Sequence, residues 1–250
     1  MSLRSLALAA SLVLLAACQG EDPKLDPVQQ AYVDDVIAFT GSTRKEVLGR
    51  MMHGTELIRD EWLAWEKQGP MTEQRMTAFY KQTPNYIYDL GRWHLWEPGK
   101  RASDIRMVEV MQAIPVKSIL DFGGGVGFNA LMLAEAGFEV TLADLKSASL
   151  EFARLRAKRH GIKLEIWQTD IEPMPRRAKY DVILALDVLE HLPRDVLEET
   201  VAKLVRLKHA RTEVVLSAPF GRTASHPMHL DATEHTKQQV KRLLDEVPPG

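Results

Sequence analysis

Two kinds of apolar spacing divide the chain. Between residues 27 and 112, hydrophobic side chains recur every three or four positions, and no stretch alternates as a strand does. From residue 113 to 250, short apolar runs alternate with longer amphipathic stretches. This order predicts a helical N-terminal segment followed by an α/β domain with a mostly parallel sheet.

Five short apolar runs in the second part predict the strands of that sheet. The run Tyr180–Leu186 is almost wholly apolar, as expected of a parallel strand that is buried on both faces. Two of the intervening helices should stop at Gly137 and Gly161, because glycine readily takes the left-handed conformation that ends a helix. The predicted strands end at or near Asp121, Asp144, Trp167, Leu186 and Ala218.

A glycine cluster follows the first predicted strand, in the run Asp121-Phe122-Gly123-Gly124-Gly125-Val126-Gly127-Phe128. Glycine allows a sharp turn and lets a ligand approach the backbone, and the next helix directs unpaired N–H groups to the same place. A dinucleotide-binding turn has the spacing G-x-G-x-x-G/A. Here Phe128 replaces the third glycine, and Asp121 would repel a pyrophosphate. The turn therefore favours a cationic ligand.

Two further strand ends carry acidic residues. Asp144 suits a ribose diol, because carboxylate oxygens accept hydrogen bonds from hydroxyl groups; capping of the next helix is the alternative role. The fourth strand leads into Asp187-Val188-Leu189-Glu190-His191-Leu192. A dinucleotide enzyme has no reason to carry this hexapeptide, which weakens the hypothesis of an NAD-dependent oxidoreductase.

The residues 120–127 resemble motif I of the class I S-adenosylmethionine (SAM) methyltransferases. The run 187–192 resembles motif IV of the small-molecule branch, the type found in ubiquinone and menaquinone biosynthesis. The resemblance extends over roughly residues 100–220. It implies a Rossmann-like, doubly wound sheet, SAM as cofactor, and methyl transfer to a small-molecule acceptor by in-line displacement. Members of this family usually end with two strands that form an edge hairpin, and we expect that hairpin to be missing here.

The same resemblance implies roles for individual residues. The glycine turn would surround the methionyl part of SAM, Asp121 would bind its amino group, and Asp144 its ribose. Asp170 would accept a hydrogen bond from the adenine, although a turn-forming role is the alternative. Asp187 and Val188 would line the floor near the sulfonium. The candidate cofactor-binding residues are Asp121, Gly123, Gly125, Gly127, Phe128, Asp144, Leu145, Asp170, Ile171, Asp187 and Val188.

The helices before motif I often fold over the cofactor in this family. By resemblance, the aromatic residues Tyr80, Tyr86, Tyr88 and Trp93 are candidates for a substrate pocket. The alternative is that they form the packing face of a small helical subdomain. His94, which lies between two tryptophans, is expected to be a surface or packing residue.

Three histidines are candidates for the general base of a hydroxyl acceptor: His191, His226 and His229. His191 could equally support the motif structurally, and the other two lie in a polar loop where histidines can be incidental. A pair of the loop histidines could instead hold a metal, although no spacing among them matches a standard metal-binding motif. No metal is therefore expected.

The N-terminus resembles a bacterial lipoprotein signal. Residues 1–18 contain an apolar run that ends in Leu15-Ala16-Ala17-Cys18, and residues 19–26 are a polar tether. The expected location is the membrane, through a lipid on Cys18; an unprocessed segment would leave the protein cytoplasmic. Cys18 is the single cysteine of the 250 residues, so no internal disulfide can form.

The overall charge limits the class of partner. The formal net charge of −2 provides no basic field for nucleic acid, so a small-molecule acceptor is favoured. The oligomeric state stays open. The competing function is that of a membrane-tethered protein that binds SAM or another nucleoside without turnover.

Overall fold

The computed structural model describes residues 24–173 and 179–248. The predicted signal segment, 1–18, and most of the predicted tether lie outside these ranges. In the part of the chain that is described, no helix is long and apolar enough to cross a membrane.

The N-terminal segment is helical, as the spacing predicts. Thr43 begins one helix with a capping box, in which its hydroxyl accepts from the Glu46 N–H while the Glu46 carboxylate accepts from the Thr43 N–H. Thr72 caps another helix by accepting from the Arg75 N–H. The helices are α1 (Pro27–Thr40), α2 (Arg44–Met52), α3 (Gly54–Lys67), α4 (Glu73–Gln82), α5 (Tyr86–Trp96) and α6 (Pro98–Gln112).

The second part is an α/β domain. Its elements are β1 (Ser118–Phe122), α7 (Phe128–Glu135), β2 (Glu139–Asp144), α8 (Ala148–His160), β3 (Glu165–Gln168), β4 (Val182–Leu186), α9 (Arg194–Arg206), β5 (Glu213–Ser217) and α10 (Glu234–Asp245). A short 3₁₀ turn, Leu189–His191, follows β4. Gly161 ends α8 in the left-handed conformation, as predicted.

The described strands form one parallel sheet in the order β3-β2-β1-β4-β5. In the central register, Phe122 lies opposite Ala143 of β2 and Ala185 of β4. The strand order reverses between β1 and β4, which is where open α/β sheets bind ligands. This arrangement confirms the predicted Rossmann-like fold. Within the described residues β5 is an edge strand, and no antiparallel hairpin borders it.

Both faces of the sheet are covered by helices, which explains the apolar composition of the central strands. On one face, Met111 of α6, the helix just before β1, packs with Ile119 and Leu184. On the other face, Ile183 packs with Leu204 of α9. Each large apolar side chain buried in this way contributes roughly 1.5–3 kcal/mol to folding.

The helical segment is fixed to the α/β domain by both apolar and charged contacts. The ring of Tyr32 packs edge-on against Phe152 of α8, with 5.4 Å between ring centroids. Asp35, which is fully buried, accepts hydrogen bonds from Arg159 at 2.8 Å and bonds to His160 at 2.7 Å. These contacts fix α1 of the helical segment against α8 of the α/β domain.

Candidate active site

A cavity of about 700 Å³ lies between the carboxyl edge of the sheet and the helical segment. Its floor comes from the residues that follow β1, β2 and β4, and its roof from α3, α4 and α5. The loop after β5 closes one side. Among the predicted site residues, those that line the cavity are Asp121, Gly123, Gly125, Asp144, Leu145, Asp187, Val188, His191, His226 and His229.

The turn after β1 requires glycine. Gly123 and Gly125 have φ angles of 72° and 52°, in the left-handed region that residues with a side chain rarely adopt. A Cβ on Gly123 would stand 2.3 Å from Cγ2 of Val188. The turn therefore leaves its backbone bare toward the cavity, and Val188 fixes its distance from the end of β4.

Asp121 is a buried acid whose carboxylate is only partly hydrogen-bonded. Its side chain is about 1% exposed, and its Oδ2 has no hydrogen-bond partner among the described residues. Burial raises the pKa of Asp121 to about 7, and the nearby Asp144 adds to this rise, while a hydrogen bond from the Ala130 N–H opposes it. A cationic group of a ligand would stabilise this carboxylate.

Asp144 is held in place by the glycine turn. Its Oδ2 accepts from the Gly125 N–H at 2.7 Å and its Oδ1 from the Leu145 N–H at 2.6 Å. Burial raises the pKa of Asp144 to about 6, against the effect of these two hydrogen bonds. Each carboxylate oxygen keeps a second lone pair for a ligand hydroxyl. The unpartnered oxygen of Asp121, the bare turn and Asp144 together fit the amino, methionyl and ribose parts of SAM.

Asp187 has a strained backbone at the end of β4. Its φ angle is 53°, and it is the single residue other than glycine with positive φ in the described chain. Ser217 donates a hydrogen bond from its hydroxyl to Asp187 Oδ1 at 2.6 Å. Such strain is common at functional sites because it costs of order 1–3 kcal/mol and persists only where the surroundings hold it.

Two predicted cofactor residues pack away from the cavity. The ring of Phe128 stacks on His94, with 4.3 Å between centroids and an interplanar angle of 9°, and lies in the core between helices. A Cβ on Gly127 would stand 2.9 Å from Cβ of Ala153, so this glycine allows α7 and α8 to pack closely. Neither residue is among those that line the cavity, and their contact with a cofactor stays a prediction.

Asp170 and Ile171 also do not line the cavity. Asp170 forms an ion pair with Lys81 of α4 at 2.5 Å and accepts from the Lys146 N–H at 2.8 Å. Its carboxylate thus joins the helical segment to the loop after β3. Ile171 is 59% exposed, which leaves it without the buried apolar surroundings of a stacking residue. Neither residue is among those that line the cavity, so their contact with a cofactor stays a prediction.

Of the four aromatic residues that are candidates for the substrate pocket, three line the cavity and one does not. Tyr80, Tyr86 and Trp93 line the roof. Tyr88 is buried away from the cavity, where its hydroxyl accepts from Arg50 at 2.9 Å. His94 is a packing residue rather than a surface one, since it is about 7% exposed and hydrogen-bonds to Asp104 at 2.7 Å.

The three candidate histidines come together at one side of the cavity. His191 Nδ1 and the Tyr80 hydroxyl share a hydrogen bond of 3.0 Å, and the ring of His229 is 4.9 Å from that of His191. The rings of His226 and His229 are 5.0 Å apart. Burial, with a further effect of His229, lowers the pKa of His191 to about 3. Such a weakly basic imidazole is a poor general base, so His226 and His229 are the better candidates.

Glu190 was not predicted as a site residue, although it belongs to the motif after β4. It is fully buried, lines the cavity, and neither of its carboxylate oxygens has a hydrogen-bond partner in the described residues. Burial raises the pKa of Glu190 to about 8, and Asp187 adds to the rise. The sequence signal was its position in Asp-x-x-Glu-His, but the sequence could not show which of these side chains point inward.

Comparison with known proteins supports a methyltransferase. A family model described as "Methyltransferase domain" matches residues 119–209. The ubiquinone biosynthesis O-methyltransferase of Rickettsia canadensis is 40% identical over 74 residues, which are 30% of this chain and 31% of that protein. Its counterpart from Bordetella avium is 28% identical over 113 residues, 41% of this chain and 46% of that protein. The chain thus spans less than half the length of these relatives.

A solved structure agrees with the fold. An O-methyltransferase family protein from Burkholderia thailandensis aligns with a TM-score of 0.51 and 12% identity, covering 78% of this chain and 66% of the other. At this identity the likeness shows the fold alone. SAM is the cofactor that the matched domain uses. The family match over residues 119–209, the parallel sheet and the acids at its strand ends agree with a class I SAM-dependent methyltransferase domain.

Proposed function

We propose that this protein transfers the methyl group of SAM to an oxygen atom of a small-molecule acceptor by in-line displacement. The observation that carries the proposal is the placement of Asp121, Asp144 and the glycine turn on the floor of one cavity whose roof is aromatic. The names of the O-methyltransferase relatives support oxygen as the acceptor atom. They also favour catalysis over the alternative of a tethered protein that binds without turnover.

The floor residues would hold the cofactor. Asp121 would bind the amino group through its unpartnered Oδ2, Asp144 would bind the ribose hydroxyls, and Leu145 would lie beside the adenine. Bound SAM supplies a methyl group that its sulfonium has already activated for transfer. The protein then needs to align the acceptor and exclude water, which requires no catalytic triad.

The roof indicates an acceptor with a flat apolar body. Tyr80, Tyr86 and Trp93 present aromatic surface to the cavity, and Ile58 and Met76 add aliphatic surface. An aromatic ring would be held between them by stacking and by exclusion of water. Its hydroxyl would face His226 or His229, which would accept the proton.

Binding of SAM tests the floor. Isothermal titration should give a measurable Kd for the wild type, and Asp144→Ala should weaken it at least tenfold with an unchanged circular dichroism spectrum. Asp60→Asn is the matched control, because Asp60 is a surface carboxylate whose side chain is 65% exposed. Equal Kd values for Asp144→Ala and the wild type would exclude Asp144 from the cofactor site.

Turnover tests the rest of the proposal. The protein is incubated with SAM and a panel of phenols, catechols and hydroxyquinones, and S-adenosylhomocysteine is quantified. We expect release that depends on the acceptor and is lost in Asp144→Ala. Tight binding of SAM without release across the panel would support the non-catalytic alternative.

A further inference from the structure

A cluster of three side chains at the side of the cavity has the composition of a metal site. Glu190 and His191 come from the 3₁₀ turn after β4, and His229 comes from the loop after β5. One donor atom from each lies within 4.8 Å of the other two. Tetrahedral ligands with bonds of about 2.1 Å stand roughly 3.4 Å apart, so small side-chain rotations would close this group around an ion.

Glu190 is the strongest reason to expect an ion. The side chain is 0% exposed, and both carboxylate oxygens lack a hydrogen-bond partner in the described residues. No lysine or arginine in that part of the chain forms an ion pair with it; its contact is Nε2 of His191, 3.9 Å from Oε1. A buried carboxylate with no partner is costly, because it has lost its hydration and gained nothing in exchange.

The orientation of His191 agrees with a role as ligand. Its Nδ1 is hydrogen-bonded to the Tyr80 hydroxyl at 3.0 Å, and its Nε2 is directed toward Glu190. Histidines that bind metals typically bind through one ring nitrogen and have the other fixed by a hydrogen bond. Tyr80 would supply that bond from the helical segment.

His229 is also held in position. The loop that carries it is joined to α3 by a two-point ion pair, in which Arg222 donates to both carboxylate oxygens of Glu66 at 2.6 and 2.8 Å. The neighbouring Met228 is buried against Ile58 and Trp62. The third donor is therefore not on a freely moving loop, and the three donors face one another across a fixed gap.

We propose that Glu190, His191 and His229 bind a divalent transition-metal ion. Two imidazole nitrogens with one carboxylate favour Zn²⁺, Co²⁺ or Fe²⁺ over Mg²⁺ and Ca²⁺, which prefer oxygen ligands throughout. Three protein ligands leave at least one coordination position open, and the cavity lies on that side. His229 lies far from the other two residues along the chain, so no local spacing indicates this set of three ligands.

The location relates the ion to the reaction. Val188, two residues before Glu190, is the residue whose side chain lies against the glycine turn. An acceptor hydroxyl at the open position would lose its proton more easily, since a bound cation stabilises the oxyanion. This role rests on the proposed function, with His226 rather than His229 as the proton acceptor, whereas the binding of the ion does not rest on it.

Cobalt binding provides the test. The full-length chain without an affinity tag is treated with a chelator, dialysed, and titrated with Co²⁺ while its visible absorption is recorded. We expect d–d bands that saturate at one equivalent and disappear when Zn²⁺ is added, with no effect of Mg²⁺. Neither SAM nor an acceptor is present, so failure here is distinguishable from failure of the methyltransferase proposal.

Variants of the ligands complete the experiment. Glu190→Gln, which removes charge at constant shape, and His229→Asn should each weaken Co²⁺ binding at least tenfold. His226→Asn is the matched control, because it removes a histidine from the same loop outside the cluster and should bind Co²⁺ as the wild type does. Circular dichroism verifies folding of each. The proposal is overturned if the wild type shows no saturable bands, or if Glu190→Gln and His229→Asn bind as tightly as His226→Asn.

Discussion

Asp121 should make the ligand-free protein less stable as the pH rises. Its carboxyl group has an ordinary pKa of 3.8, and burial is the main reason why this pKa rises to about 7 in the fold. Between these values the folded protein binds more protons than the unfolded chain, so the free energy of unfolding falls with increasing pH. Below about pH 4 both states are protonated, and above about pH 7 both are ionised, so the effect is confined to that window.

The size of the effect follows from the shift. Each pKa unit corresponds to about 1.4 kcal/mol, so the part of the window between about pH 5 and pH 7 costs the wild type about 3 kcal/mol. The amide of Asp121→Asn cannot ionise, so the variant does not lose this stability as the pH rises. For a chain of this length, about 3 kcal/mol corresponds to roughly 6–12 °C in Tm. The Tm of the variant relative to that of the wild type should therefore rise by this amount between about pH 5 and pH 8.

Differential scanning fluorimetry of both proteins at a series of pH values measures the Tm difference. The amide that replaces Oδ2 has its own fixed cost, but that cost is independent of pH and cancels when the Tm differences are compared. Asp60→Asn should show no such trend. Asp121→Asn should also lose affinity for SAM, so stability and binding move in opposite directions. A Tm difference between variant and wild type that stays constant from about pH 5 to pH 8 would refute the reasoning.

Three further predictions concern other parts of the chain. Gly123→Ala should lose SAM binding and about 1–3 kcal/mol of stability, measured by thermal unfolding, because the new Cβ would overlap Val188. Gly137→Ala is the control: Gly137 also has a positive φ angle but has open space around it, so this variant should keep SAM binding. Arg222→Ala should lower the free energy of unfolding by at most about 1 kcal/mol, since the ion pair with Glu66 is partly exposed. The same variant should raise the KM for the acceptor more than the Kd for SAM. Equal changes in both constants would contradict a role of Arg222 that is confined to the loop after β5. Mass spectrometry of the mature protein should find a diacylglyceryl group on Cys18, and an intact unmodified N-terminus would contradict the lipoprotein prediction.

The sequence was informative where a strand end fixes the position of a residue. Asp144 could be placed because an apolar run must end at the edge of the sheet, and parallel strands bring their carboxyl ends to the same edge. The glycine turn was predictable because glycine allows a sharp bend and an uncovered backbone directly after a strand. The five strands and their common direction followed from the same alternation of strand and helix.

The sequence was less informative about the direction of side chains. Phe128 begins α7, and spacing alone could not show that its ring turns toward His94 and away from the cavity. Asp170 lies at a strand end like Asp144, but its partner, Lys81, comes from the helical segment. The cluster of Glu190, His191 and His229 depends on how a loop folds back after β5. Such contacts join parts of the chain that no local pattern relates.

The roof of the cavity lies outside residues 119–209, the range shared with the methyltransferase domain model. Tyr80, Tyr86 and Trp93 stand before that range, and the loop that carries His229 stands after it. Mutations in the roof could therefore change the acceptor without altering the residues that we propose to bind SAM. Two proteins with nearly the same domain could methylate quite different molecules, and grafting α3 to α5 from one onto the other is the direct way to exchange their specificities.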